Sequence, residues 1–512
     1  VRAALVVATA IACTDPAPHH DVVLASGPPA PLSPDSAADA VEHGLLPAFT
    51  LTGVDLRMSL AARMAHHGTP AIGVAVVDGG EVMWARTWGT LRNGAAAPHP
   101  ADDATRFQAA SISKPVTAIA VLRLAEQGKL DIDADAARYL RSWRLPAGRQ
   151  ITVRQLLSHT AGLDAPEQAA YFHADGSFAG YAVGAPLPSA VQILNGKPPA
   201  ISAPVALKST APIAGFSYSG GGYTVLQLLV EDVTGISFDD AIRGLVFEPV
   251  GMSRSTFAAD PGTPNVAHAH AVGGAPVDGG WIVVAEKAAG GLWTTPSDLA
   301  RMLVALIAAW RGEDGRVLSP ASAKLMLTPV ADARPTVGGA IGLGMFVSDD
   351  DGELWFSHNG HNPGYHATIA ALPARGKAMV IMMNREDGAA ILSEVANAIA
   401  VVHEFPDRGG LRPRHRDIVA LAPGVAAACA GVFDVEGQRI VMRADRDELV
   451  AQFAPSTTEI RFHPVRAAAD RTDFLDPHVP ILISCIATNG VVSTIQIRSP
   501  AGQHDARRVG GN

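Results

Sequence analysis

The chain has 512 residues, 48% of them hydrophobic and 17% charged, which is long enough for two or three cores and too apolar for disorder. Its formal net charge of −9 is small for this length. No run of basic residues makes a stripe for phosphates, so nucleic acid is not an expected partner.

Arg2 is followed by about ten apolar or small residues ending at Cys13. That stretch is too short to span a bilayer and has the form of a secretory signal over residues 1–12. The small residues before Cys13 resemble a bacterial lipoprotein cleavage box, with Ala10 where a larger aliphatic is common. The expectation is export to the periplasm, with Cys13 as the lipidation site if the protein is an outer-membrane lipoprotein. Residues 13–36, rich in Pro, Ala and Ser, read as a tether. Cys429 and Cys485 can pair in an oxidising compartment or stay reduced and buried, and spacing alone leaves both open.

From Ala37 to His67 the pattern is helical, with Leu56, Leu60 and Met64 at helical spacing. "AIGVAVVDGGEVMWARTWG" then reads as two strands joined at Asp78-Gly79-Gly80. In "FQAASISKPVTAIAVLRLAEQGKL", Pro115 must lie near a helix start, so a helix is expected from close to Ser111 to a cap at Gly128. Residues 164–215 are Gly/Pro/Ala-rich without a clear period, the form of a binding wall or lid. Two helices broken at Gly235 follow, then one with Thr295 as N-cap, Pro296 in its first turn and Asp298 completing a capping box. Strand runs return from residue 342 to 384, so the sheet is split in sequence around a mostly helical section. After one more helix, to about His403, residues 404–417 read as a linker. Six short β-branched runs, with a hairpin signal at Asn489-Gly490, read as a separate antiparallel sheet or barrel over 416–512.

The chemistry begins at Ser111. The chain has only 7 lysines, and one of them, Lys114, stands one helical turn from this serine. A helix start offers free N–H donors where an acyl oxyanion forms. A serine hydroxyl still needs a base, either an amine whose charge is suppressed or a phenol beside a charged amine. Ser-x-x-Lys alone is a weak signal. Tyr218, in "GFSYSGGGY", sits among small residues that admit a backbone or a substrate. In "FSHNGHNPGYH", Gly360 clears space for a ligand along a strand edge. His358 and His361 are candidate metal ligands there, but no Asp, Glu or Cys lies nearby at ligand spacing, so no metal or other cofactor is expected.

The order Ser-x-x-Lys, Tyr-Ser-x, His-x-Gly, together with "LLSHTAGL", "AAGGLWTTPSDLARM" and "GHNPGY", resembles the serine β-lactamase and penicillin-binding protein superfamily, within it the class C β-lactamase-related group. The resemblance covers about residues 40 to 400. It implies an α/β (α+β) β-lactamase/transpeptidase-like fold: an antiparallel sheet flanked by helices with an inserted all-helical region, here a catalytic domain over 37–405. The β region at 416–512 is similar to lipocalin-like appendages of some members. The resemblance makes Ser111 the acylated nucleophile, with Lys114 and Tyr218 sharing the proton work. His358, Gly360, Ser219 and Gly220 would flank the substrate, and the N–H groups of Ser111 and His361 would form the oxyanion hole. Two positions depart from the family: Gly220 stands where Tyr-x-Asn has its asparagine, and His358 where most β-lactamases have lysine. Both count against efficient β-lactam hydrolysis. The expected activity is that of a serine hydrolase on D-amino-acid peptides or small esters and amides. A class C type β-lactamase and a catalytically idle cell-wall-binding protein are the alternatives. Oligomeric state is not legible.

Overall fold

The computed structural model describes residues 32–95, 97–163, 171, 178–209, 215–334, 339–350, 352–406, 412–468, 470–478, 481–488, 491–499 and 502–509. The expected signal at 1–12, Cys13, most of the tether, parts of the segment 164–215 and the Asn489-Gly490 turn lie outside them. The chain forms two compact units, one of residues 39–66 with 393–512 and one of residues 34–38 with 67–392.

In the first unit, strand β1 (Phe49–Leu51) pairs in parallel with β12 (Arg414–Arg416). Asn397 Nδ2 donates to the carbonyls of Leu46 and Pro47 at 3.1 and 2.9 Å, and Arg63 Nε donates to Glu394 at 2.8 Å. These ties carry residues 39–66 to the C-terminal unit, and the two units part at 66 and 393. Part of the expected linker is strand. Leu56 lies outside the helix Leu60–His67.

Eight antiparallel strands close a barrel in chain order: β13 (Gly431–Val435), β14 (Gln438–Asp445), β15 (Glu448–Phe453), β16 (Glu459–Ala467), β17 (Arg471–Leu475), β18 (Leu482–Thr488), β19 (Val491–Ser499) and β20 (Gly502–Arg508). Closure removes the edges. Phe433, Phe453, Phe462, Phe474, Ile483 and Ile495 fill its interior. The polar sequences of β17 and β20 hide two strands from pattern reading. In β20 only Ala506 is fully buried, and the rest of the strand is polar or glycine. Cys429 and Cys485 are joined by a disulfide, with Cα atoms 5.9 Å apart and a sequence separation of 56. A loop of that length implies about 4 kcal/mol of stabilisation in the chain-entropy account. Cys429→Ser with Cys485→Ser is therefore expected to lower the barrel's urea midpoint by the equivalent of about 2–4 kcal/mol.

The second unit is built on an eight-stranded antiparallel sheet. The hairpin of β2 (Ala71–Asp78) and β3 (Glu81–Gly89) turns at Gly79-Gly80 as expected. Residues 74–77 of β2 are wholly buried, which is why it reads as an unbroken apolar run. Beyond it lie, in spatial order, β11 (Lys377–Met383), β10 (Tyr365–Leu372), β9 (Glu353–Asn362), β8 (Phe346–Asp350), β7 (Ala340–Ile341) and β6 (Ala331–Asp332). The helix Pro296–Arg311 packs on β2 and β11. Gly73 makes room for it, since a Cβ there would lie 2.7 Å from Pro296 Cγ. Thr295 caps that helix through the Asp298 N–H at 3.2 Å, but the Asp298 carboxylate turns away to Arg254 N–H, Ser255 Oγ and Arg301. Tertiary partners outcompete the reciprocal half of the box.

A separate two-stranded ladder, β4 (Phe107–Ala110) with β5 (Leu292–Thr294), leads to the helix Ser113–Glu126. This helix is apolar nearly all round and is buried, against the helix Gly220–Thr234 and the turn of helix Lys287–Gly290. Its one buried cation is Lys114.

Candidate active site

The turn between β4 and the buried helix is tight. Ala110 has φ +50°, a left-handed conformation that costs a non-glycine residue about 1–3 kcal/mol. Ile112 N–H donates to Ala109 O at 3.1 Å, and Ser113 Oγ donates to Ala110 O at 2.6 Å while accepting from Leu292 N–H at 3.0 Å. So anchored, the turn leaves Ser111 half-buried, two residues before the helix proper. Lys114 is 2% exposed. Its ammonium donates to Ser111 Oγ at 3.0 Å and to Ala289 O at 2.7 Å. It also lies 4.8 Å from the centroid of the Tyr218 ring. The structure thus brings together three residues that are more than 100 positions apart at their extremes.

Tyr218 is positioned by a residue to which the sequence assigned no role. His159, in "LLSHTAGL", has φ +54° and is fully buried, and its ring stacks on Tyr218 at 4.3 Å and 25°. Two backbone bonds tie the segments, Ser217 N–H to His159 O at 2.8 Å and Ser219 N–H to His159 Nδ1 at 3.0 Å. An N–H donor at Nδ1 puts the ring proton on Nε2. Ser219, expected to flank substrate, caps the helix Gly220–Thr234 through Gly222 N–H at 3.0 Å. Gly220 is the first, buried residue of that helix. The neighbours of His159 in sequence, Ser158 and Thr160, give no local hint of such a task.

His358 departs from its expected place beside substrate. It is 2% exposed, and its Nδ1–H donates to Asn359 O at 2.7 Å. Burial first, then the Lys114 charge, pushes its imidazole down to about 3, so at neutral pH it carries no charge for a carboxylate. Gly360 also has a different reason from the one expected. A Cβ there would lie 2.2 Å from the Ala109 carbonyl, so glycine lets β9 approach the nucleophile turn itself. His361 lines the cleft.

That cleft is lined by Ser111, Lys114, Tyr218, His361 and by Tyr171 and Glu286, which sequence reasoning missed. The Tyr171 hydroxyl donates to the Glu286 carboxylate, and both are buried. Burial, then the Glu286 charge, holds the Tyr171 phenol well above its ordinary range. Asn362 Nδ2 donates to Gln108 Oε1 at 2.6 Å and to Gly290 O at 2.9 Å, fastening β9 to β4 and to the wall that holds Lys114. Tyr171 stands inside the unpatterned segment, where no periodicity marks it.

The two buried imidazoles make stability depend on pH. His159 is likewise held well below the ordinary histidine value, by burial, then by Lys114 and His358. Nε2 of each is buried without a hydrogen-bond partner among the described residues. Below about 6.5, the ordinary value, the unfolded chain binds protons that the folded chain refuses. Stability is therefore full above that value and falls as pH drops from about 6.5 towards 3, by about 1.4 kcal/mol per pH unit for each fully titrating imidazole. Urea unfolding between pH 7 and 5 is expected to show this slope, and His358→Gln should reduce it by about half.

Fold and cleft together define a serine hydrolase, with the amine on the first turn of a buried helix and the hydroxyl on the tight turn leading into it. Residues 56–404 match the family model named Beta-lactamase, and the chain belongs to that family. Penicillin-binding protein 4 of Amycolatopsis lactamdurans is 28% identical over 340 residues, which is 63% of this chain and 83% of that protein. Esterase EstB of Burkholderia gladioli is 34% identical over 192 residues, 36% of this chain and 46% of the esterase, so that match spans less than half of the relative. The octameric penicillin-binding protein homologue from Pyrococcus abyssi shares the fold at a TM-score of 0.59 and 20% identity, over 87% of this chain and 98% of that one.

Proposed function

We propose that the protein hydrolyses small esters or amides, D-amino-acid peptides among them, through an acyl-enzyme on Ser111. The observation that carries this is the Lys114 ammonium, buried and in contact with both the Ser111 hydroxyl and the Tyr218 ring. Attack of Ser111 Oγ on the carbonyl carbon forms the new C–O bond and sends the π pair to the carbonyl oxygen. The N–H groups of Ser111 and His361 would receive that oxyanion, each such donor being worth about 3–4 kcal/mol of barrier. The serine proton passes to the Tyr218–Lys114 pair and from there to the departing alcohol or amine. Water then attacks the acyl carbon and gives a proton to the same pair, which returns it to Ser111 Oγ as the Oγ–C bond breaks and the acid leaves.

Gly220 offers no side-chain amide to a substrate, and neutral, buried His358 offers no cation to a carboxylate. Both support a small ester or amide over a β-lactam. The names of the curated relatives, a penicillin-binding protein and an esterase, fit the same range. A panel of p-nitrophenyl esters, nitrocefin and D-alanyl peptides tests the reading. Turnover of at least one compound is expected. A stable adduct of fluorescent penicillin on Ser111 with no turnover of any compound would favour the idle, cell-wall-binding alternative. We also propose export. The Cys429–Cys485 disulfide supports an oxidising compartment. Among the described residues, no helix is long and apolar enough to cross a membrane.

A further inference from the structure

The strand edge that carries His361 holds a second constellation. His361 and His366 are register partners across the β9–β10 hairpin, and their rings stack at 4.4 Å and 5°. The carboxylate that sequence spacing did not supply arrives from just beyond β11. Glu386 Oε1 lies 2.8 Å from His361 Nε2, and its Oε2 accepts from Gly364 N–H at 2.8 Å. Glu386 O lies 2.7 Å from His366 Nε2, which fixes that ring as well. One nitrogen from each histidine and one Glu386 oxygen all fall within 4.8 Å of one another. The neighbouring Arg385 does not compete for this carboxylate, because its guanidinium bonds Asp387 and the carbonyl of Gly68.

We propose that His361, His366 and Glu386 bind a divalent transition-metal ion of the zinc class. Two imidazoles and a carboxylate match that ion's donor preference, whereas magnesium and calcium prefer all-oxygen sets, and binding requires one of the stacked rings to turn so that both nitrogens face the ion. The His361 side chain is 39% exposed, so an ion reaches the site from solvent and keeps an open coordination position there. In the metal-free protein a proton lies between His361 Nε2 and the Glu386 carboxylate. The ion takes that place, and the proton passes to Nδ1 or to solvent. The geometry is independent of the hydrolase reading, although the His361 N–H also serves the oxyanion in that reading.

The test is calorimetric titration of the metal-stripped full chain with Zn²⁺, and with Mg²⁺ as control. One equivalent of Zn²⁺ is expected to bind, with no uptake of Mg²⁺. His366→Ala and Glu386→Gln should each weaken binding by at least about tenfold, the lower end of what even outer-shell losses cost. Co²⁺ should give visible d–d bands on the wild type that His366→Ala lacks. Thermal unfolding of the metal-free variants checks their folding. If His366→Ala fails to fold, His366→Gln, closer in volume, carries the same comparison. No Zn²⁺ binding by the wild type, or equal binding by the folded variants, overturns the proposal. Because the readout is binding rather than turnover, a dead enzyme that binds zinc leaves this inference standing, and an active one that does not bind removes it.

Discussion

Ser111→Ala is expected to abolish turnover of whichever compound the protein cleaves, by at least about 10⁴-fold, since removing the serine of a comparable acyl-transfer site costs about 10⁶ in kcat. The fold should hold. Ser111 is half-buried, and the bonds that shape its turn run through Ala109, Ser113 and Leu292 and not through its own hydroxyl. The one side-chain bond lost is the 3.0 Å contact with Lys114. The melting temperature should therefore stay close to that of the wild type, and adducts with fluorescent penicillin should disappear. Full turnover by the alanine variant would show that another group attacks.

Lys114→Met tests the charge beside the nucleophile. Deleting the ammonium removes the group that contacts both the serine and the tyrosine, so kcat is expected to fall about 10²–10⁴-fold, the range for a general acid–base partner. Two structural effects oppose each other. Ala289 O loses its 2.7 Å donor in a buried place, which costs about 1–3 kcal/mol. A buried charge also disappears, and replacing such charges with apolar side chains of similar volume is often neutral or stabilising. Net stability should shift by no more than about 2 kcal/mol. The substitution also has a spectroscopic signature. With the Lys114 charge gone, the His358 imidazole should titrate above its present value of about 3 while burial, the larger cause, keeps it below the ordinary one. Histidine NMR resonances followed against pH measure this. An unchanged His358 titration would mean that Lys114 carries no charge in the folded protein.

Local chemistry is legible wherever one residue's covalent nature forces the outcome. Pro115 placed the helix start within two residues of Ser111, and Gly79-Gly80 placed the hairpin. Thr295 and Pro296 marked a helix terminus that the structure keeps. The β-branched runs after residue 430 announced a second antiparallel body, and the order of the Ser-x-x-Lys, Tyr-Ser-x and His-x-Gly motifs announced the family. The misses share a cause. β20 is a polar strand held by its pairing with β19 and, where the barrel closes, with β13; β17 is short and opens on three polar residues; and β1 belongs with β12 through a pairing 365 residues away in sequence that no local period encodes.

By itself, then, the sequence determined the class of fold, the helix that presents a serine and a lysine together, and the hydrolase family. Those follow from backbone sterics, side-chain periodicity and motif order, all properties of neighbours along the chain. Only the tertiary structure decided which groups surround that serine and in what state. It sealed His358 from solvent beside Lys114, stacked His159 under Tyr218, gave Gly360 its reason at the Ala109 carbonyl, and brought Glu386 to the His361–His366 pair. Desolvation and electrostatic field depend on what packs around a group from every direction, and distant segments supply most of that packing.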